Sequence, residues 1–275
     1  MKRRRFLVLK VVVLLLFLAG IYSLIEPYWY QEKTVVVQNQ SIPQAFDGFR
    51  IVFLADIHFN RFFTQERLQG IVNRVNALDP DLILLGGDYA EGDPKYIDLC
   101  FEVLADLEAP YGVYGVLGNH EHWLGAEKSI QAMDEAGILS IDNNSFWIEK
   151  DGERIKVGGV GDLCEDVQKL EKTTGDVTEE DFVILVSHSP DYAEIMDRSK
   201  VDLMFAGHTH GGQITLFGLY APKIPSDYGQ KYRTGVVTHD DLKVIVSNGI
   251  GTNTLPVRFF ARPQINVAIL DAMQR

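Results

Sequence analysis

Leu82-Ile83-Leu84-Leu85-Gly86-Gly87-Asp88 sets four apolar residues in a row before two glycines and a carboxylate. A run this short, uniformly apolar and bounded by glycine reads as a strand buried on both faces. The pattern recurs. Ile51–Leu54 runs into Asp56 and His58, Val113–Leu117 into Gly118-Asn119-His120, Phe182–Ser187 into His188, and Leu203–Ala206 into Gly207-His208-Thr209-His210. Helical spacing fills the intervals of the first half: Glu66–Leu78 (apolar at Leu68, Ile71, Val72 and Val75), Tyr96–Leu107, and Ala126–Ala136 with Gly137 as its stop. The second half is richer in strands. Phe146–Glu149 and Arg154–Val160 flank Asp151-Gly152, a hairpin signal, and Val244–Ser247 and Ile265–Leu270 finish the chain. Alternation first and hairpins later predict an α/β fold of two packed mixed β-sheets flanked by helices. In open α/β sheets ligands gather at the carboxyl ends of strands, which is where the polar residues stand.

Five of the chain's seven histidines lie in these strand-end segments. Imidazole, carboxylate and amide oxygen together suit borderline divalent ions such as Mn, Fe, Co or Zn. Asp56, His58, Asp88, Asn119, His188, His208 and His210 are too many ligands for one tetrahedral ion. They suit two divalent metal ions sharing a carboxylate, an arrangement that stabilises both the attacking and leaving oxygens of an in-line displacement. Taken singly, Asp56 reads as a strand-end cap, Asp88 as a turn residue and His188 as a core histidine; their joint occurrence carries the metal reading. His122 and His239 fit no ligand position, and Asp162 reads equally as a turn residue or as a group approaching the site.

Asp56-Ile57-His58, Gly87-Asp88, Gly118-Asn119-His120-Glu121, His188 and Gly207-His208-Thr209-His210 resemble, in order, the motifs of the calcineurin-like metallophosphoesterase superfamily. Gly207–Gln213, Ser247–Gly251 and Pro256–Phe259 are similar to its membrane-associated bacterial phosphodiesterase branch, which includes outward-facing enzymes and relatives acting on lipid-linked phosphates. The resemblance implies a four-layer αββα sandwich. It also implies one ion held by Asp56, His58, Asp88 and His210, and a second held by Asp88, Asn119, His188 and His208, with Asp88 between them. The activity implied is hydrolysis of a phosphodiester or pyrophosphate, lipid- or envelope-linked, by a hydroxide bridging the ions. His120 would serve the leaving oxygen, and Glu91, three residues after Asp88, would orient its ring. Two rival readings are a UDP-2,3-diacylglucosamine-type lipid pyrophosphatase facing the cytoplasm and a non-catalytic metal-binding envelope protein. A scaffold that turns nothing over has no need of His120.

Lys2-Arg3-Arg4-Arg5 precedes an apolar run from Phe6 to Ile25, interrupted mainly by Lys10. About twenty residues at roughly 1.5 Å each span a bilayer core, and Lys10 is near enough to the end to snorkel. The basic cluster predicts a cytoplasmic N-terminus, a single pass through the cell membrane and a domain outside it, with Tyr22, Tyr28, Trp29 and Tyr30 at the outer interface. A cleaved signal, or export on the twin-arginine-like Arg3-Arg4-Arg5-Phe6-Leu7, is the alternative. The expected division is therefore 1–30 as basic segment and anchor, 31–49 as a linker with a first strand at Thr34–Val37, and 50–275 as the catalytic domain.

Residues 1–10 hold five of the 26 basic groups, leaving 21 against 38 acidic residues in the rest, a balance of −17. Such a body repels a nucleic-acid backbone, so nucleic acid is not an expected partner. Cys100 and Cys164 have no metal-binding spacing. Phe59, Phe62, Phe63, Trp123, Leu124, Leu216, Phe217, Leu219, Tyr220, Phe259 and Phe260 fall near the expected site mouth, where exposure would make a patch for acyl chains or the bilayer surface. Arg61, Lys223, Lys231 and Arg258 are the expected contacts for the substrate's anionic groups.

Overall fold

The computed structural model describes residues 2–273. In chain order its first half runs α1 (Lys2–Ile25), β1 (Gln31–Asn39), β2 (Arg50–Leu54), α2 (Gln65–Asn76), β3 (Leu82–Leu85), α3 (Lys95–Leu104), β4 (Val113–Gly115), α4 (Asn119–Leu124), α5 (Ala126–Glu135) and β5 (Leu139–Ser140). The second half adds β6 (Ser145–Lys150), β7 (Glu153–Gly159), α6 (Glu171–Thr174), β8 (Val183–Val186), α7 (Tyr192–Ile195), β9 (Leu203–Ala206), β10 (Gly235–His239), β11 (Leu242–Val246) and β12 (Gln264–Ala272). The strands form two six-stranded sheets, ordered β1-β12-β2-β3-β4-β5 and β10-β11-β9-β8-β7-β6. Both are mixed, as expected. β2, β3, β4 and β5 pair in parallel while β12 runs antiparallel to β2, and β7, β8, β9 and β11 are parallel between the antiparallel edges β6 and β10.

The uniform apolar runs follow from burial on both faces. Along β2, Ile51 and Phe53 pack between the sheets against Ile184, Val186 and Phe205, while Val52 and Leu54 face α2 and α3. Along β8, Val183 and Leu185 turn instead to a third layer with Tyr192 and Tyr232. Each fully buried aliphatic side chain contributes about 1.5–3 kcal/mol relative to exposure. Helix α2 starts on Thr64, whose hydroxyl accepts from the Arg67 N–H at 3.3 Å, a cap worth about 1 kcal/mol. The β6–β7 turn has Asp151 at φ 51° and Gly152 at φ 84°, the two left-handed residues of a type I′ hairpin.

The first strand expected at Thr34–Val37 is longer and runs from Gln31 to Asn39. β1 pairs with β12 over nine residues, from Gln31–Gln264 to Asn39–Ala272, and is an edge strand of the first sheet. Strand pairing with the chain's far end gives the polar Gln31–Lys33 a place that local apolar patterning does not signal. Helix α1 is long and apolar enough to cross a membrane, and its most apolar window is 0% buried. Its last turn and the residue after it are pinned to the domain: the Arg258 N–H donates to the Ser23 carbonyl at 3.0 Å, and the Phe260 N–H to the buried Glu26 carboxylate at 2.6 Å.

Candidate dinuclear metal centre

The carboxyl ends of β2, β3, β8 and β9 meet at one edge of the sandwich. The β2–β3 ladder continues past the strands through Asp56 N–H to Gly87 O (3.0 Å) and His58 N–H to Asp88 O (2.9 Å). Across the sheets, the His188 ring reaches the Gly86 carbonyl at 2.7 Å. There the backbone turns sharply. Asp56 (φ 53°), His58 (47°), Asp88 (56°), His208 (66°) and His210 (52°) all lie in the left-handed region, at about 1–3 kcal/mol each. Local bonds hold them. Both Asp56 carboxylate oxygens accept the His208 N–H at 2.9 and 3.0 Å, and Asp88 Oδ1 accepts the His120 N–H at 3.0 Å. Gly207 is glycine because a Cβ there would run into the Asp56 carboxylate.

All seven expected ligands converge in two clusters. In the first, His58 Nε2 lies 3.0 Å from His210 Nε2 and 3.4 Å from Asp88 Oδ2, with Asp56 Oδ1 3.5 Å from His210 Nε2. In the second, His188 Nε2 lies 3.3 Å from Asp88 Oδ2, 3.1 Å from His208 Nδ1 and 3.2 Å from Asn119 Oδ1. Asp88 belongs to both. Two donors each about 2.1 Å from an ion and at right angles lie about 3.0 Å apart, so this spacing fits a divalent cation in each cluster. Burial drives the His58 ring down to a pKa of about 3 and His208 to about 4, leaving their nitrogens neutral and free to bind metal. Burial acts against charge on His188 too, but the carboxylates around it, Asp88 foremost with Asp56 and Asp162, together outweigh it and lift its pKa well above the ordinary value. A cation entering that cluster therefore displaces a proton.

His120, at the start of α4, belongs to neither cluster. Its ring stands edge-on to His58 (centroids 4.5 Å apart, 90°) and against Trp123 (4.7 Å), with Nε2 4.0 Å from Asp88 Oδ2. Glu91, expected to orient it, sits elsewhere: its carboxylate accepts from Asn60 Nδ2 and the Thr254 N–H at 3.0 Å each and lies 3.9 Å from His58 Nδ1. The step from Asp88 to Glu91 follows the β2–β3 side of the cleft, because Glu91 N–H bonds to the Phe59 carbonyl. Glu91 thus backs a ligand, not the His120 ring.

Arg258 is also corrected. It is wholly buried, and its guanidinium donates to the carbonyls of His210, Asn248, Gly249, Gly251 and Ala261. Burial lowers its pKa to about 10, so it stays charged, but every donor edge is committed to tying its own loop, between β11 and β12, together and to the loop that carries His210. Arg61 is exposed with its guanidinium over the Phe62 ring, Lys231 is paired with Glu194, and Lys223 lines a groove beside His210. Of the aromatic cluster, Phe59 and Phe63 are core residues, whereas Phe62, Trp123, Leu216, Phe217, Leu219, Tyr220 and Phe260 are exposed.

Sequence reading passed over Glu121. Its buried carboxylate accepts the N–H groups of Asp88 (2.8 Å), Tyr89 (2.8 Å) and Gly118 (2.9 Å), fixing the loop that carries the shared ligand. Burial and the Asp88 charge push its pKa up, while the backbone N–H donors on both oxygens pull it back down. The signal was there: Glu three residues after the residue that opens a short helix reaches back to that residue's N–H. Asp162 is buried and accepts from the Cys164 and Glu165 N–H groups, which is the turn reading.

Residues 49–212 match the calcineurin-like phosphoesterase family. The chain belongs to that family. It is 32% identical over 257 residues to the uncharacterized metallophosphoesterase YkuE of Bacillus subtilis (strain 168), covering 92% of this chain and 90% of that one. It is 28% identical to phosphodiesterase YaeI of Escherichia coli (strain K12), covering 88% of each. It is 27% identical to the "transmembrane protein with metallophosphoesterase domain" of Danio rerio, over 86% of this chain and 56% of that one. Among solved structures, the Haemophilus influenzae NAD nucleotidase superposes with a TM-score of 0.50 at 14% identity, over 74% of this chain and 50% of that one, a likeness of fold alone. Family and ligand clusters together make this calcineurin-like protein a dinuclear metal-dependent phosphoesterase.

Proposed function

We propose that the protein hydrolyses a phosphodiester or pyrophosphate whose organic part belongs to the membrane or envelope, with the domain outside the cytoplasm. One observation carries the reading: Asp88 Oδ2 lies 3.4 Å from one cluster's imidazole and 3.3 Å from the other's, with the His120 ring 4.0 Å away. A pair of divalent ions held there would neutralise phosphoryl oxygens and make a water molecule acidic enough to attack. Asp56, His58, Asp88 and His210 would hold one ion; Asp88, Asn119, His188 and His208 the other. His120, braced by His58 and Trp123, carries a proton to the leaving oxygen, a task for an imidazole near neutral pH. Glu121 keeps the Asp88 loop from relaxing, and the Glu91 carboxylate, 3.9 Å from His58 Nδ1, places negative charge beside that ring.

The membrane half of the proposal rests on α1, on the basic residues of its first turn, and on the exposed apolar residues beside the centre. The test compares Mn²⁺-loaded protein on bis(p-nitrophenyl) phosphate and p-nitrophenyl phosphate, and reads a C-terminal reporter for the side of the membrane. Faster cleavage of the diester and an external reporter are expected. Monoester preference would overturn the substrate class, and a cytoplasmic reporter would overturn the placement.

A further inference from the structure

We propose that the turn Leu216–Tyr220 is a second membrane contact, inserted into the leaflet where α1 ends, so that the metal centre is held at the bilayer surface. The inference rests on α1 crossing the bilayer. Leu216, Phe217, Leu219 and Tyr220 are 56, 71, 84 and 50% exposed, a contiguous apolar tip of a kind soluble surfaces rarely carry. The tip is built, not loose. Leu216 N–H bonds to the Tyr220 carbonyl at 2.7 Å, and the Thr215 hydroxyl accepts from the Gly218 N–H while reaching the Phe259 and Phe260 carbonyls. Phe217 at φ 55° and Gly218 at φ 75° form its bend.

Its level relative to the membrane follows from its contacts. Phe217 packs on Phe260 with centroids 5.3 Å apart, and Phe260 packs on Tyr22 of α1 at 5.1 Å. Tyr22 precedes Ile25, the last residue of α1, by three positions, about 4.5 Å along the axis. The turn is therefore level with the last turn of the apolar helix. Just beyond, Arg262 lies over the Trp29 ring at 4.2 Å and Arg67 over Tyr28 at 4.4 Å. Cations on aromatic rings are the chemistry of the headgroup layer. Flanking the turn in sequence, Ile214 and Pro222 border a groove of about 420 Å³, with Pro225 and Leu255, that reaches the ligand His210 and has Lys223 on its wall. A phosphate ester anchored by an acyl chain would reach the centre along it without leaving the bilayer.

The experiment uses full-length protein with Cys164→Ser; Cys100 is buried. Single cysteines at Leu219, at Leu16 in α1 and at Thr238 on the exposed edge strand carry a polarity-sensitive fluorophore. The protein is reconstituted in phosphatidylcholine–phosphatidylglycerol vesicles and quenched with aqueous iodide or with nitroxide on the lipid acyl chains. Labels at 219 and 16 are expected to lose most of their emission to the lipid nitroxide and little to iodide, with 238 the reverse. A 219 label that follows 238 while 16 stays in lipid overturns the docking and leaves the anchor. Labels at 16 and 219 both open to iodide overturn both. A 219 label shielded from both quenchers means that protein, such as a second copy, covers the turn, and overturns a lipid contact. Catalysis is not read in any arm, so failure here is distinct from failure of the phosphoesterase reading.

Discussion

At the metal centre Asp56, His58 and His188 are 0% exposed, whereas in the Leu216–Tyr220 turn Phe217 and Leu219 are 71 and 84% exposed. The first region buries polar groups and the second exposes apolar ones. Each inversion is unfavourable for the protein in water alone, and each is held by rigid backbone bonding. Left-handed residues fix the ligands, and the Thr215 hydroxyl fixes the turn. Departures of this kind cluster where a partner completes the energetics: a cation in one case, lipid in the other.

The sharpest way to break the comparison is Asp88→Asn, which removes the one carboxylate both clusters share. Metal binding and hydrolysis are expected to fall together to background; a variant retaining both ions and rate would show the clusters to be independent. His120→Ala should keep its metal yet lose about 10²–10⁴-fold in kcat. Equal losses of metal and rate would make His120 a ligand. Arg258→Met leaves five loop carbonyls without their donor and should lower stability by about 3 kcal/mol or more, measured by urea unfolding.

Asp142 tests burial of a carboxylate outside the seven ligands. Burial raises its pKa to about 7. With the folded value raised, its contribution is fully present below about 3.8 and is lost as pH rises through about 7. The loss is up to about 1.4 kcal/mol per unit, and Asp142→Asn should flatten that slope. Identical slopes in unfolding titrations from pH 4 to 8 would contradict it. The smallest effect is expected of Glu91→Gln, about tenfold in affinity for the His58 ion with unchanged stability of the metal-free protein.

The two regions were unequally legible in the sequence. Strand-end chemistry is local: four apolar residues and then Gly-Gly-Asp fix a buried strand and the place of its ligand together, so the sheets and all seven converging residues could be read in advance. What failed depended on distant chain. Arg258 reads as a substrate cation until four carbonyls of its own loop and the His210 carbonyl of the loop after β9, 48 residues away, are seen to enclose it. Glu91 lies only three residues from Asp88, but its direction is set by Asn60 and Thr254. β1 is polar at its start and is a strand because β12, over 220 residues away, pairs with it. The aromatic cluster divided for the same reason: Phe59 and Phe63 pack in the core, while Phe217 rests on Phe260 and, like Leu219, is otherwise open to solvent.

The central claim is that one aspartate joins two cations. Purified full-length protein loaded with Mn²⁺ should bind two ions per chain by elemental analysis and give the electron paramagnetic resonance spectrum of a spin-coupled pair. A single ion per chain, or two with uncoupled spectra, would contradict the account.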